Sequence, residues 1–313
     1  MKGIELSEAF YREFGEPMIR DCFPELLGLI AVGVAGSGSE CFGYDDELSQ
    51  DHDFDIGFCI FIPDENVIDS RGAFALERAY SKLPRSFRGF ERSLLAPVGG
   101  SRRGVIRMSD FFKSKTGDPE GELSPTDWLM LPEQSLAEAV NGKVFFDGLG
   151  KFTEIREKLS YMPEDIRRKK LAGELLVMGQ SGQYNYGRCI ARGETAAAQL
   201  AMCDFARSAL HAAFLLNKQY MPYYKWSFRA LRELPLLSKL HEPLEYLISS
   251  ANREGKSERK IRIAEQICAD IISEARGQGL SDYSGAEAEG HAYSVNGGIS
   301  SPDIRNLHIL CAV

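Results

Sequence analysis

The chain has 313 residues, 44% of them hydrophobic, which is enough to bury a core and long enough for two domains. A net charge of −8 argues against a protein that coats nucleic acid, and no apolar run approaches the ~18 residues of a membrane span. The polar N-terminus, MKGIELSEAFYREFG, does not read as a signal peptide, and the seven cysteines (22, 41, 59, 189, 203, 268, 311) show no Cys-x-x-Cys spacing, so reduced core thiols in a cytoplasmic protein are expected.

Taken in order, residues 5–15 carry Leu6, Ala9, Phe10 and Phe14 at helical spacing, and Ser7 is a candidate cap. After Pro24 an apolar run, Leu29, Ile30, Val32 and Val34, leads as a strand into the turn Gly36-Ser37-Gly38-Ser39. Residues 40–55 then hold seven carboxylates and no Lys or Arg, and the chain leaves them through Ile56-Gly57-Phe58-Cys59-Ile60-Phe61-Ile62. This reads as a strand apolar on both faces, hence central in a sheet. Side chains two apart share a strand face, so Asp51, Asp53 and Asp55 line up where it begins, while His52 points the other way. Aligned carboxylates repel one another unless a cation intervenes, and Mg²⁺ is the usual remedy.

Further on, Ala73, Phe74, Leu76, Ala79, Tyr80 and Leu83 form one stripe of a helix from Ser70 to Leu83, which Pro84 ends. Gly99-Gly100 bends the chain into a strand at 104–108. From Lys82 to Lys115 there are nine Lys or Arg against Glu91 and Asp110, a local balance of +7 beside the acidic stretch, as expected where an anionic partner meets Mg²⁺. A surface loop balanced by its neighbours is the competing reading. Residues 126–140 read as a helix interrupted at Pro132, with Trp128 in the core, and 142–147 as a short closing strand. The loop Gly148-Leu149-Gly150 divides residues 1–150 from a second domain, 151–313.

That second half shows long helical patterns at about 163–192, 194–216, 235–251 and 257–276 with no strand between them, the pattern of a four-helix bundle. Between the second and third lies Asn217 to Trp226. Tyr220 and Tyr223 there could stack on a base and Lys225 could meet a phosphate, against the plainer reading of an aromatic hinge. Arg188 and Arg192, one turn apart, are further phosphate candidates, and a bundle face serves equally as a substrate lid or half of a homodimer interface. The tail from 277 reads as ordered irregular structure with a terminal helix.

A glycine-serine turn lets backbone amides cradle phosphate oxygens, and a following Asp-x-Asp strand suits two-metal nucleotidyl transfer. The order Gly38-Ser39, eleven residues, Asp51-His52-Asp53 resembles the Gly-Ser…Asp-x-Asp motif of the DNA polymerase β-like nucleotidyltransferase superfamily. With WLMLPEQSL at 128–136 and YMPYYKW at 220–226, the chain is similar to the DUF4037 nucleotidyltransferase-like proteins, and the similarity extends over most of it. The resemblance implies an α+β architecture: a minimal nucleotidyltransferase domain, a mixed sheet flanked by helices, followed by an all-α helical-bundle domain. It implies Asp51 and Asp53 as catalytic metal ligands. Asp55, where a glycine is more usual, leaves Asp53 and Asp55 as the other pair, and Asp110 is the candidate third carboxylate. Gly36, Ser37, Gly38 and Ser39 would bind the nucleotide. Expected partners are Mg²⁺ or Mn²⁺, a nucleoside triphosphate with ATP favoured, and a hydroxyl acceptor that is a small molecule or a protein. Large nucleic acid is disfavoured and Glu174 is available as a helical base. A catalytically inactive nucleotide-binding or protein-interaction module of the same fold is the alternative.

Overall fold

A computed structural model of the chain describes residues 2–46, 56–92, 103–253 and 255–313. The molecule is α+β, with a four-stranded mixed sheet flanked by helices in its N-terminal half and a helical C-terminal region. Two compact units result, Met1–Leu123 with Ser135–Ser160, and Ser124–Gln134 with Tyr161–Val313.

The first unit opens with α1 (Gly3–Phe10), which passes through a π-helical segment, Tyr11–Gly15, into α2 (Glu16–Cys22). The helix is therefore longer at both ends than the 5–15 stripe predicts. Strands β1 (Ala31–Val34), β2 (Cys59–Ile62), a small hairpin of β3 (Ser86–Phe87) and β4 (Phe90–Glu91), and β5 (Gly104–Arg107) follow in the chain. Between β2 and the hairpin runs α3 (Ser70–Ser81), capped by Asp69 Oδ1 accepting from Gly72 N–H at 2.7 Å. After β5 come α4 (Met108–Thr116), α5 (Pro125–Met130), α6 (Glu133–Val140), β6 (Lys143–Asp147) and α7 (Lys151–Lys158).

The sheet order is β5-β2-β1-β6, with β2 and β5 parallel and the other two pairings antiparallel. Alternation along β2 explains why it is apolar on both faces. Phe58, Ile60 and Ile62 join Leu6, Phe10, Tyr11 and Ile19 of the N-terminal helices and Leu76 and Tyr80 of α3. Phe61 points the other way, 4.0 Å from the Phe152 ring and 5.1 Å from Phe111. This stack is why α7, beyond the Gly148–Gly150 loop, belongs to the first unit.

The second unit starts at α5, where Ser124 and Asp127 form a capping box and Pro125 occupies the first turn. Helix α8 (Glu164–Met178) continues through a π-helical segment, Gly179–Asn185, into α9 (Tyr186–Ala191), and α10 (Thr195–Leu216) returns beside it. The expected helix at 163–192 is this composite. Then follow α11 (Tyr224–Glu233), α12 (His241–Ser249), α13 (Lys256–Gly277), α14 (Ala288–Gly297) and the single turn α15 (Pro302–Arg305). Helices α8, α10, α12 and α13 correspond to the four expected; α11 and α14 are additions, and α14 packs on α8. Among the described residues no helix is long and apolar enough to cross a membrane.

Candidate functional site

The Gly-Ser turn leaves β1 at Val34 and is held by residues far away in sequence. Gly36 and Gly38 adopt φ of +104° and +142°, which side chains disfavour. Asn141 clamps the Gly36 residue from both sides: its Oδ1 accepts from Gly36 N–H at 2.9 Å, and its Nδ2 donates to Gly36 O at 2.8 Å. Gly142 N–H donates to Cys41 O at 2.9 Å, and a side chain on Gly142 would put a Cβ 1.9 Å from Val34 O. Beyond the clamp, the amides of Ser37, Gly38 and Ser39 have no partner among the described residues. Glu40, in the short 3-10 turn that follows, is buried and receives Arg103 Nη2 at 2.5 Å, which ties the turn to the start of β5.

Beside the turn is a cavity of about 660 Å³ in the first unit, lined by Gly36 and Ser37, by Phe74 and Glu77 of α3, by Arg103 and Arg107, and by Asp110, Phe111 and Lys115 of α4. Of the nucleotide-binding residues read from the sequence, Gly36 and Ser37 line it; Gly38 and Ser39 continue the turn. Gly36 offers a ligand no amide, since Asn141 has it, so the cradle begins at Ser37. Asp110 is exposed, lines the cavity, and stands in the first turn of α4 rather than on a strand, because β5 stops at Arg107. Asp51, Asp53 and Asp55 lie outside the described residues. Among the described residues no group of three or more His, Cys, Asp or Glu is placed to hold a metal ion.

Part of the basic segment is spent on structure. Arg92 donates to the carbonyls of Tyr80, Ser81 and Leu83 and so closes the C-terminal end of α3. Arg107 donates to Pro63 O at 2.8 Å and Ile68 O at 3.1 Å, and Lys115 pairs with Glu138 at 2.5 Å. Arg107 and Lys115 nonetheless add positive charge to the cavity wall.

Sequence reasoning missed Glu77. Its Oε2 accepts from Val105 N–H at 2.8 Å, satisfying an amide of edge strand β5, and partial burial raises its carboxyl above the usual range. Phe74, assigned to the apolar stripe of α3, is 60% exposed, while Leu76 and Tyr80 are buried. The core-facing stripe is therefore narrower than the apolar pattern, and Glu77 borders it.

The remaining candidates belong to the second unit. Tyr220 is only 8% exposed, and its ring lies 5.4 Å from that of Tyr161; burial pushes its hydroxyl upward. It is a packed core ring, contrary to the expectation of a base-stacking surface. Tyr223 and Lys225 are exposed, and Lys225 Nζ sits 5.1 Å from the Trp226 ring centre. Lys225 and Trp226 belong to α11, so the expected hinge is the start of a helix. Arg188 lies over the Tyr184 ring and bonds its hydroxyl.

Glu174 proves to be part of a buried network. His211 of α10 places Nδ1 2.7 Å from Glu174 Oε1 and Nε2 2.8 Å from Glu133 Oε1. Burial opposes its charge, but the two carboxylates prevail and push its pKa up to about 10, and the imidazolium with Lys170 holds Glu133 below the usual range despite burial. The two carboxylates thus favour the charged form of the ring.

Residues 128–227, about a third of the chain, match the family model described as a domain of unknown function, DUF4037. A comparison with curated proteins gives no match. Among solved structures, the chain is similar to a nucleotidyltransferase-like protein from Exiguobacterium sibiricum 255-15, at 12% sequence identity and a TM-score of 0.36; the likeness covers 89% of this chain and 78% of that one.

Proposed function

We propose that the protein is a metal-dependent nucleotidyltransferase that moves NMP, with ATP as the favoured donor, onto a hydroxyl acceptor and releases pyrophosphate. The observation that carries this reading is the Gly-Ser turn. Its first residue is locked by Asn141, its next three amides are without partners among the described residues, and it borders a cavity large enough for a nucleotide. Ser37, Gly38 and Ser39 would receive phosphate oxygens, and Arg107 and Lys115 would offset their charge. Mg²⁺, or Mn²⁺ in its place, would be held by Asp51 and Asp53, with Asp55 the other candidate; when bound it would polarise the phosphoryl oxygens. Among the described residues, Glu77 would serve as the proton acceptor for the incoming hydroxyl. One of its oxygens is fixed by an amide, and its raised carboxyl range brings it nearer the working pH of a general base. Asp110 is the second carboxylate of the wall.

Calorimetry with ATP, GTP, CTP and UTP, each with and without Mg²⁺, tests the reading on wild type and on Asp51→Asn/Asp53→Asn. Metal-dependent binding of one triphosphate, lost in the double variant, is the expected result. Binding without pyrophosphate release in any acceptor screen would favour the inactive nucleotide-binding module instead, and no binding at all would overturn both.

A further inference from the structure

Three lysines of the second unit are almost fully buried, and their ammonium groups are treated differently. Lys169 Nζ donates to Asn296 Oδ1 at 2.9 Å, Arg305 O at 3.2 Å and Leu307 O at 2.6 Å. Lys260 Nζ donates to Gln199 Oε1 at 3.0 Å, Ser250 O at 2.7 Å and Asn252 Oδ1 at 2.9 Å. Three donors meet three acceptors in each case, as burial of an ammonium requires. Among the described residues Lys170, 3% exposed, has one hydrogen bond, to Leu129 O at 3.3 Å, and lies 3.9 Å from Glu133. It lines a cavity of about 400 Å³ formed wholly by residues of the second unit.

Glu174, one turn further along the same face of α8, lines that cavity too. It is 5% exposed; His211 takes Oε1, and Oε2 has no partner among the described residues. Glu133 Oε2 accepts from Met221 N–H at 3.2 Å, while its Oε1 is in ion-pair contact with His211 Nε2 at 2.8 Å and has no hydrogen-bond partner among the described residues. His211 Nδ1 is hydrogen-bonded to Glu174 Oε1 at 2.7 Å, whereas Nε2 is in ion-pair contact with Glu133 Oε1 at 2.8 Å without a hydrogen-bond partner among the described residues. The cavity therefore presents the buried ammonium of Lys170 and a Glu174 oxygen that makes no hydrogen bond among the described residues, the two charges favouring each other without a direct ion pair, and the exposed Arg207 lines the same cavity. Met221 and the 43%-exposed Tyr223 supply an apolar wall beside them.

An under-partnered buried cation calls for an anionic acceptor, and an under-partnered carboxylate oxygen for a cationic donor. One small molecule that brings both, close together, is a zwitterion. We propose that this cavity binds a free α-amino acid with an apolar or aromatic side chain, its carboxylate on Lys170, its ammonium on Glu174, and its side chain against Met221 and Tyr223. The site stands apart from nucleotidyl transfer and does not depend on it.

The test uses the full chain. Thermal shifts with the standard L-amino acids at millimolar concentration identify the best binder, and calorimetry then compares it with its decarboxylated amine and its deaminated acid. Each analogue, lacking one charge, is expected to bind at least about tenfold more weakly. Lys170→Met should abolish the preference for the amino acid over the amine, and Glu174→Gln the preference over the acid. Should either buried variant fail to fold, Tyr223→Ala, at an exposed position, should weaken binding severalfold with the melting temperature of the free protein unchanged. The proposal is overturned if no amino acid shifts the melting temperature, if a one-charge analogue binds as tightly as its parent, or if Tyr223→Ala leaves affinity unaltered.

Discussion

Replacing Glu133 by Gln keeps the shape of the buried network and removes one charge. His211 then retains only Glu174 as a carboxylate partner, and Lys170 loses the carboxylate 3.9 Å away. Breaking a buried pair by removing one partner costs about 3–5 kcal/mol. The pKa of His211 gives a second route: its rise from 6.5 to about 10 corresponds, at about 1.4 kcal/mol per pH unit, to about 5 kcal/mol for the charged network as a whole. The sign follows from the direction. His211 is raised, so its contribution is complete below about pH 6.5 and fades as pH climbs toward 10. Glu133 is lowered, so its contribution is complete above about pH 4.5 and fades as pH falls through its folded-state value. Both tryptophans, Trp128 and Trp226, belong to the second unit, so urea unfolding followed by tryptophan fluorescence reports on this unit selectively. At about pH 6 the variant should lose roughly 3–5 kcal/mol, and the gap from wild type should narrow by about 1–3 kcal/mol by about pH 9. A loss below about 1 kcal/mol, or a gap that stays constant with pH, would refute the reasoning.

Two further substitutions probe the first unit. Gly142→Ala places a methyl 1.9 Å from Val34 O at a φ of +72°, and should cost roughly 2–5 kcal/mol in urea unfolding followed by far-UV circular dichroism; an effect below about 1 kcal/mol would show that the 141–142 segment does not hold the turn. Phe152→Ala empties the site stacked on Phe61 at 4.0 Å and should cost about 3–5 kcal/mol, against less than about 1 kcal/mol if α7 packs only loosely on the sheet.

How much of this was legible in the sequence depends on how local the cause is. Strands β1, β2, β5 and β6 show as short apolar runs, continuous in β1 and β2 because both faces of those two strands are buried. Helix α4 was also there to be read, in Met108, Phe111 and Phe112 at i, i+3 and i+4, but the strand pattern before it drew attention past Arg107 and left Asp110 without a helix. Helix α11 was hidden by its own entry, since Pro222 and paired tyrosines read as a hinge. The hairpin β3–β4 has two residues per strand, too few for any period. Within α8 the misleading signal is chemical. Arg167, Lys169 and Lys170 look like a solvated face, yet all three are buried, because carbonyl and side-chain acceptors from Leu129, Leu215, Asn296, Arg305 and Leu307 reach them.

The same reasoning separates two kinds of site residue. A motif such as Gly-Ser-Gly-Ser names its own backbone geometry, so the positive φ angles at Gly36 and Gly38 were foreseeable. What gives the turn one conformation is Asn141, 105 residues away, and no local pattern announces an asparagine that will bond a distant peptide on both edges. Glu77 is likewise defined by Val105, 28 residues on, whose edge-strand amide must find an acceptor once β5 is the last strand of the sheet. His211 shows the limit most plainly. Scattered among five histidines, it had no neighbour in sequence to mark it, and its charge is favoured by two carboxylates on two other helices. Composition supplies the ionisable groups, but topology decides which of them is left with an open valence, and such groups, Lys170 and Glu174 here, are where a ligand has something to gain.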